Sequence, residues 1–85
     1  NYPNTFNPET TISYSVKTDG QVTIEIYNLK GQKVKTLVNE KAKAGNHQVV
    51  WRGDDDHGKS VGSGVYFYRM NSGKYTSSRK MILMK

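Results

Sequence analysis

The strongest constraint on this chain is an alternation of apolar and polar residues, which recurs in short segments separated by turn residues. Isoleucine, tyrosine and valine alternate with threonine and serine over residues 10–16, and residues 21–28 repeat the pattern with valine and isoleucine. A period of two places successive side chains on opposite faces, as in a strand with one buried face. No segment sustains the 3.6-residue period of an amphipathic helix. The chain is therefore expected to fold from β-strands.

The strands are separated by turn signals at regular spacing. The predicted strands cover residues 10–16, 21–28, 33–38, 46–52, 64–71 and 74–85. The first two are expected to pair as a hairpin, because Asp19-Gly20 favours a tight turn. The apolar phase slips near Leu37, which indicates a β-bulge, and residues 37–44 are expected to form an exposed connection. Six or seven such strands predict an all-β fold, an antiparallel immunoglobulin-like β-sandwich, with an OB-type barrel as the alternative.

The same alternation predicts the core. Trp51 is in phase with Val49, so we expect a buried tryptophan rather than a platform for stacking a ligand. Tyr66, Tyr68 and Met70 are expected to face inward. The opposite phase would bury Arg69. A domain of this size buries only about 60 to 65% of its unfolded surface, which leaves no room for a deep active site.

The chain divides into two parts. Residues 1–9 contain Tyr2-Pro3 and Asn7-Pro8, and proline pushes the preceding residue towards extended geometry, so we expect an extended N-terminal linker. Residues 10–85 form the predicted β-sandwich domain. No apolar run reaches the ~18 to 20 residues that a membrane-spanning helix needs. The chain does not begin with methionine, and we expect it to be a module of a longer protein.

Charge and cysteine content exclude several functions. The net charge of +6, from 13 basic and 7 acidic residues, first suggests a polyanionic partner. The basic residues are scattered, however, with no recognition helix to carry them, so we expect no nucleic-acid binding. Cysteine is absent, and His47 and His57 alone cannot make a histidine metal site. We expect a monomer that uses no cofactor.

Residues 53–60 match the phosphate-binding pattern G-x-x-x-x-G-K-[ST]. Three of the four variable positions are aspartates, whose charges would repel a bound triphosphate, and a turn and strand follow where a helix is needed. Residues 58–62 also spell G-x-S-x-G, without the scaffold of a nucleophile elbow. We therefore predict an acidic hairpin turn and no enzyme. Asp54 and Asp56 are weak candidates for a loose cation site, because the ligand spacing of a calcium loop is not met.

Both ends of the chain carry more specific motifs. The chain begins NYPNTFNPETTI, contains SGVYFY over residues 63–68, and finishes KMILMK over residues 80–85. Further matches lie between them, at residues 26–28, 31–32, 44–45 and 50–51, Gly53 and Asp55. Together these resemble the C-terminal sorting domains of the type IX (Por) secretion system, which are similar to the immunoglobulin-like domain of flagellar hook-capping proteins. One departure is Thr5, where that family usually places proline.

The resemblance implies a non-catalytic sorting domain that directs a larger, covalently fused upstream protein across the outer membrane. In that family the cargo passes through the periplasm and is secreted or attached to the cell surface, after recognition by the translocation and sortase machinery. The residues that match the late motifs are Gly64, Tyr66, Lys80, Met81, Leu83 and Lys85. For Gly64 and Tyr66, a purely structural role at the start of a strand stays open.

Two rival functions come from other classes. A carbohydrate-binding or other adhesion-type β-sandwich would expose coplanar aromatic side chains. The candidates for that role are Tyr2, Tyr27, Tyr66 and Tyr75. A nucleic-acid-binding barrel would instead show a steep dependence of affinity on salt, because neutralising phosphates releases counterions.

Overall fold

The computed structural model describes residues 9–84. The strands are β1 (Thr10–Val16), β2 (Gly20–Asn28), β3 (Lys33–Ala42), β4 (Gly45–Trp51), β5 (Gly64–Ser72) and β6 (Tyr75–Leu83). The predicted all-β class is confirmed. Among these residues the structure contains no helix that could span a membrane. The predicted N-terminal linker, apart from Glu9, lies outside the described residues.

The six strands form two antiparallel sheets of unequal size. β1 and β4 form a two-stranded sheet, and the other has four strands in the order β3-β2-β5-β6. The predicted hairpin of the first two strands is wrong, because β1 and β2 lie in different sheets. The Asp19 carboxylate accepts a 2.7 Å hydrogen bond from the Ala44 N–H, which ties the turn to the β3–β4 connection. Val16 of β1 and Val22 of β2 belong to one core cluster between the two sheets.

The third strand is longer than predicted. β3 continues to Ala42, which lies opposite Gly20, so the expected exposed connection over residues 37–44 is mostly strand. Polar residues do not prevent strand formation here, because β3 pairs with residues 20–27 of β2. Such residues also suit an edge strand with one solvated side. The predicted bulge is confirmed: Val38 lies opposite Ile24 and Thr36 opposite the next residue, and a second register shift follows two residues later.

Two adjoining clusters of apolar side chains fill the space between the sheets. Trp51 is fully buried, as predicted, and its indole Nε1–H donates a 2.9 Å hydrogen bond to the Asp54 carbonyl. Its ring meets Tyr66 edge to face, with centroids 5.1 Å apart, a favourable arrangement for two aromatic rings. Tyr66 and Met70 are buried as predicted, whereas Tyr68 is half-buried and packs against both clusters.

Candidate recognition surface

The pairing of β5 with β6 brings the described members of the predicted recognition set together. These are Gly64, Tyr66, Lys80, Met81 and Leu83; Lys85 lies outside the described residues. Gly64 lies opposite Leu83 and Tyr66 opposite Met81, so residues 15 to 19 positions apart in sequence share one end of the strand pair. β6 is also the last strand of its sheet, and its outer backbone edge has no partner strand within residues 9–84.

Two members of the set are core residues. Tyr66 and Leu83 are 8% and 2% exposed and belong to the cluster around Trp51. The Tyr66 hydroxyl donates a 2.6 Å hydrogen bond to the Gly62 carbonyl, which satisfies its polar group. Met81 is half-buried and packs against the same cluster. The inner side chains of this segment therefore serve packing.

Gly64 has a conformational role at the start of β5. Its φ angle is +155°, and no heavy atom lies within 4 Å of the position that a Cβ would occupy. Space is therefore available, but residues with a Cβ rarely adopt this backbone conformation. The glycine thus allows the chain to enter β5 directly opposite Leu83, which supports the structural role left open by the sequence.

The outer face of the same strand pair is accessible. Lys80 is exposed opposite Phe67, and Ile82 is 62% exposed opposite Val65. We call these four residues the β6 outer patch. Exposed apolar side chains beside a cation on an edge strand are typical of surfaces that contact other proteins. The sequence analysis did not include Ile82, although the period of two from Lys80 places it on this face.

The candidate tyrosines for glycan binding do not share one platform. Tyr27 lies on the outer face of the larger sheet, Tyr66 is in the core, and Tyr75 is exposed at the start of β6; Tyr2 lies outside the described residues. The Tyr27 hydroxyl donates a 2.8 Å hydrogen bond to Glu25. This hydrogen bond, followed by burial, raises the pKa of Tyr27. The described tyrosines therefore lack the coplanar arrangement expected of a glycan platform.

The acidic segment is a hairpin turn, as predicted. Asp54 pairs with Ser60 in an antiparallel bridge, and the Asp55 Oδ1 accepts 2.9 Å hydrogen bonds from the N–H groups of His57 and Lys59. This is the local capping typical of aspartate in turns. After the turn the chain continues into strand β5, whereas a phosphate-binding loop is followed by a helix.

The two weak cation candidates have separate protein partners. The Asp54 Oδ1 lies 2.9 Å from the Lys35 Nζ, and the Asp56 Oδ1 accepts a 3.0 Å hydrogen bond from the Thr36 N–H. Across residues 9–84 no group of three or more His, Cys, Asp or Glu residues could hold a metal ion. Both aspartates instead fasten the turn to β3.

The Asp55 carboxylate is expected to stabilise the turn in a pH-dependent way. The hydrogen bond from the Lys59 N–H lowers its pKa from 3.8, with a smaller contribution from His57. Since the folded-state pKa is lowered, the stabilisation is complete above pH 3.8 and is lost as the pH falls through the folded-state value. Asp55→Ala should therefore lower the melting temperature at pH 7, by an amount that decreases as the pH is lowered below 3.8. Thermal unfolding followed by circular dichroism measures this, with Glu40→Gln as an exposed control. A change in melting temperature that stays the same as the pH is lowered would contradict the role of the carboxylate.

Comparison with known proteins gives one family match and two similar structures. The family model described as the FlgD Ig-like domain matches residues 5–77. FlgD from P. aeruginosa is similar over 88% of this chain and 59% of its own, with 22% identity and a TM-score of 0.65. Dimeric latent PorU from Porphyromonas gingivalis is similar over 99% of this chain and 9% of its own, with 25% identity and a TM-score of 0.69. A search of curated proteins finds no match. The chain thus spans less than two thirds of either similar structure.

Proposed function

Because this chain belongs to the family of FlgD immunoglobulin-like domains, we propose that it is a non-catalytic sorting domain that directs a larger secreted protein to the cell surface. One observation carries the proposal: almost the whole chain is similar to a segment that makes up 9% of latent PorU. A module of this size, occupying a small part of a larger protein, fits a domain that accompanies a cargo. The motifs at both ends of the chain favour the same function.

The β6 outer patch is the surface that the secretion machinery would read. Lys80 and Ile82 point to solvent, whereas Leu83 and Tyr66 are committed to the core. An edge strand can be extended by a strand of a partner, which gives affinity through the backbone. Lysines beside such an edge accelerate encounter with an acidic partner. We therefore assign recognition to Lys80, together with Lys85, and assign the inner residues to packing.

A secretion reporter tests the proposal. A folded reporter protein is fused upstream of the domain and expressed in a host with a type IX secretion system. The test variant combines Lys80→Ala and Lys85→Ala, and the matched control combines Lys41→Ala and Lys43→Ala. The control removes the same charge near the end of β3, at the other edge of the larger sheet. Cell fractionation then gives the share of reporter in the periplasm and at the surface.

The two double variants should separate recognition from folding. Exposed lysines contribute little to stability, so both variants should unfold within about 0.5 kcal/mol of the parent domain. The reporter with the Lys80 and Lys85 changes should accumulate in the periplasm, while the control reporter reaches the surface. Normal surface delivery of the folded test variant would contradict recognition through these lysines. Periplasmic retention of the unaltered fusion would contradict the sorting function itself.

A further inference from the structure

The unequal sheets leave part of the sandwich uncovered. The acidic turn that follows β4 is fastened to Lys35 and Thr36 of β3, so β4 lies towards the β3 side of the larger sheet. Lys17, directly after β1, instead reaches Tyr75 at the start of β6, with its Nζ 5.5 Å from the ring centroid. β1 therefore lies towards β6, and within residues 9–84 its second edge pairs with no strand.

A cleft of about 810 Å³ opens between the smaller sheet and the β5–β6 pair. This volume is within the range of sites that bind ligands. Ser13, Tyr14 and Ser15 of β1 line it, together with residues 46–48 of β4, so the cleft reaches the backbone of both strands of the smaller sheet. The opposite wall includes Ser77 and Arg79. These residues are opposite Met70 and Tyr68, and hence lie on the inner face of β6.

The chemistry of the cleft favours a negatively charged occupant. Lys17 and Arg79 contribute two cations, and the lining contains no aspartate or glutamate. Tyr14 stacks on His47 with ring centroids 5.4 Å apart, and burial, followed by the charge of Glu40, raises the pKa of Tyr14. Its hydroxyl therefore stays protonated at neutral pH and can donate to a carboxylate.

We propose that this cleft binds an extended acidic peptide segment, which adds to the free edge of β1 as a third strand of the smaller sheet. The backbone of the segment pairs with β1, and its carboxylates face Lys17 and Arg79. The cleft extends along β1 from Ser13 to Lys17, which corresponds to about five residues of ligand at ~3.3 Å per residue. A second copy of this chain suits the cleft poorly, because each copy carries a net charge of +6.

The cleft can be tested separately from the β6 outer patch, because alternate residues of β6 lie on opposite faces of the strand. Arg79 lines the cleft and the adjacent Lys80 lies on the outer face. Arg79→Gln and Lys17→Gln therefore remove the two cations of the cleft and leave Lys80 in place, and Lys41→Gln removes the same charge from the exposed β3 edge as the control. The probe is a fluorescent peptide of about eight alternating glutamate and threonine residues, measured by fluorescence anisotropy on the full chain. A glutamine–threonine peptide and a version with N-methylated central amides are the ligand controls.

The acidic peptide should bind with an affinity that falls as salt is added. Arg79→Gln and Lys17→Gln should each weaken binding about tenfold, as loss of a charge-assisted hydrogen bond does, while Lys41→Gln changes it less than about twofold. The N-methylated peptide should lose binding, because it cannot pair with β1. Equal binding of the neutral or N-methylated peptide would overturn the proposal. So would an absence of peptide binding, retention of a neutral oligosaccharide in its place, or dimerisation that Arg79→Gln abolishes in sedimentation experiments.

Discussion

Trp51→Ala is expected to remove about 3 to 5 kcal/mol from the free energy of unfolding. The side chain is fully buried, contacts Tyr66 edge to face and donates its indole N–H to the Asp54 carbonyl. Alanine would leave a cavity at the centre of one core cluster and an acceptor without its donor. Domains of this size have a total stability near the lower end of about 5 to 15 kcal/mol, so the variant should be largely unfolded near its working temperature.

Urea denaturation followed by circular dichroism measures this loss, and Val50→Ala is the matched control. Val50 is the neighbouring residue of β4, points the other way and is 38% exposed, so its truncation should cost less than about 1 kcal/mol. Equal midpoints for the two variants would contradict the placement of Trp51 in the core. Because the two residues share one strand, the effects of β-propensity on stability are similar. The difference between the free energies of unfolding of the two variants therefore reports burial.

The faces of the strands could be predicted from the sequence, but their partners could not. Ile12 and Val16 in β1 and Val22 in β2 are buried as the alternation indicates, because a period of two alone decides which side chains share a face. Asp19-Gly20 signals a turn, and a turn can join strands of one sheet or of two. Here the turn joins two sheets, and the Asp19 carboxylate accepts a hydrogen bond from the Ala44 N–H of the β3–β4 connection, a contact that no local pattern reports.

The family could be predicted because its motifs are spread along the whole chain. The resemblance to hook-capping immunoglobulin-like domains is confirmed by the match over residues 5–77. The residues within the final motif were harder to sort, since the resemblance does not distinguish side chains that pack in the core from those that we propose are recognised. The alternation that separates Lys80 and Ile82 from Met81 and Leu83 was visible in the sequence. The cleft beside β1 was not, because it depends on the unequal sizes of the two sheets.

Leu83→Ala and Ile82→Ala should divide packing from recognition within two adjacent residues. Leu83 is 2% exposed, and its Cδ2 lies so close to Gly53 that a Cβ there would be 3.2 Å away. Its truncation should therefore lower the free energy of unfolding by about 2 to 5 kcal/mol. Ile82 is 62% exposed, and its truncation should change stability by less than about 0.5 kcal/mol.

Urea midpoints measure the stability of the two variants, and the secretion reporter measures their delivery. We expect Leu83→Ala to change stability and Ile82→Ala to change delivery. If the β6 outer patch is read, Ile82→Ala leaves a stable domain whose reporter is retained in the periplasm. Leu83→Ala should lose surface delivery only to the extent that the domain unfolds, so delivery should recover when the growth temperature is lowered enough to refold it. Normal delivery of a stable Ile82→Ala domain would show that this side chain of the β6 outer patch takes no part in recognition. A Leu83→Ala domain as stable as the parent would contradict its burial, because a side chain enclosed by Trp51, Tyr66 and Gly53 cannot be truncated without leaving a cavity.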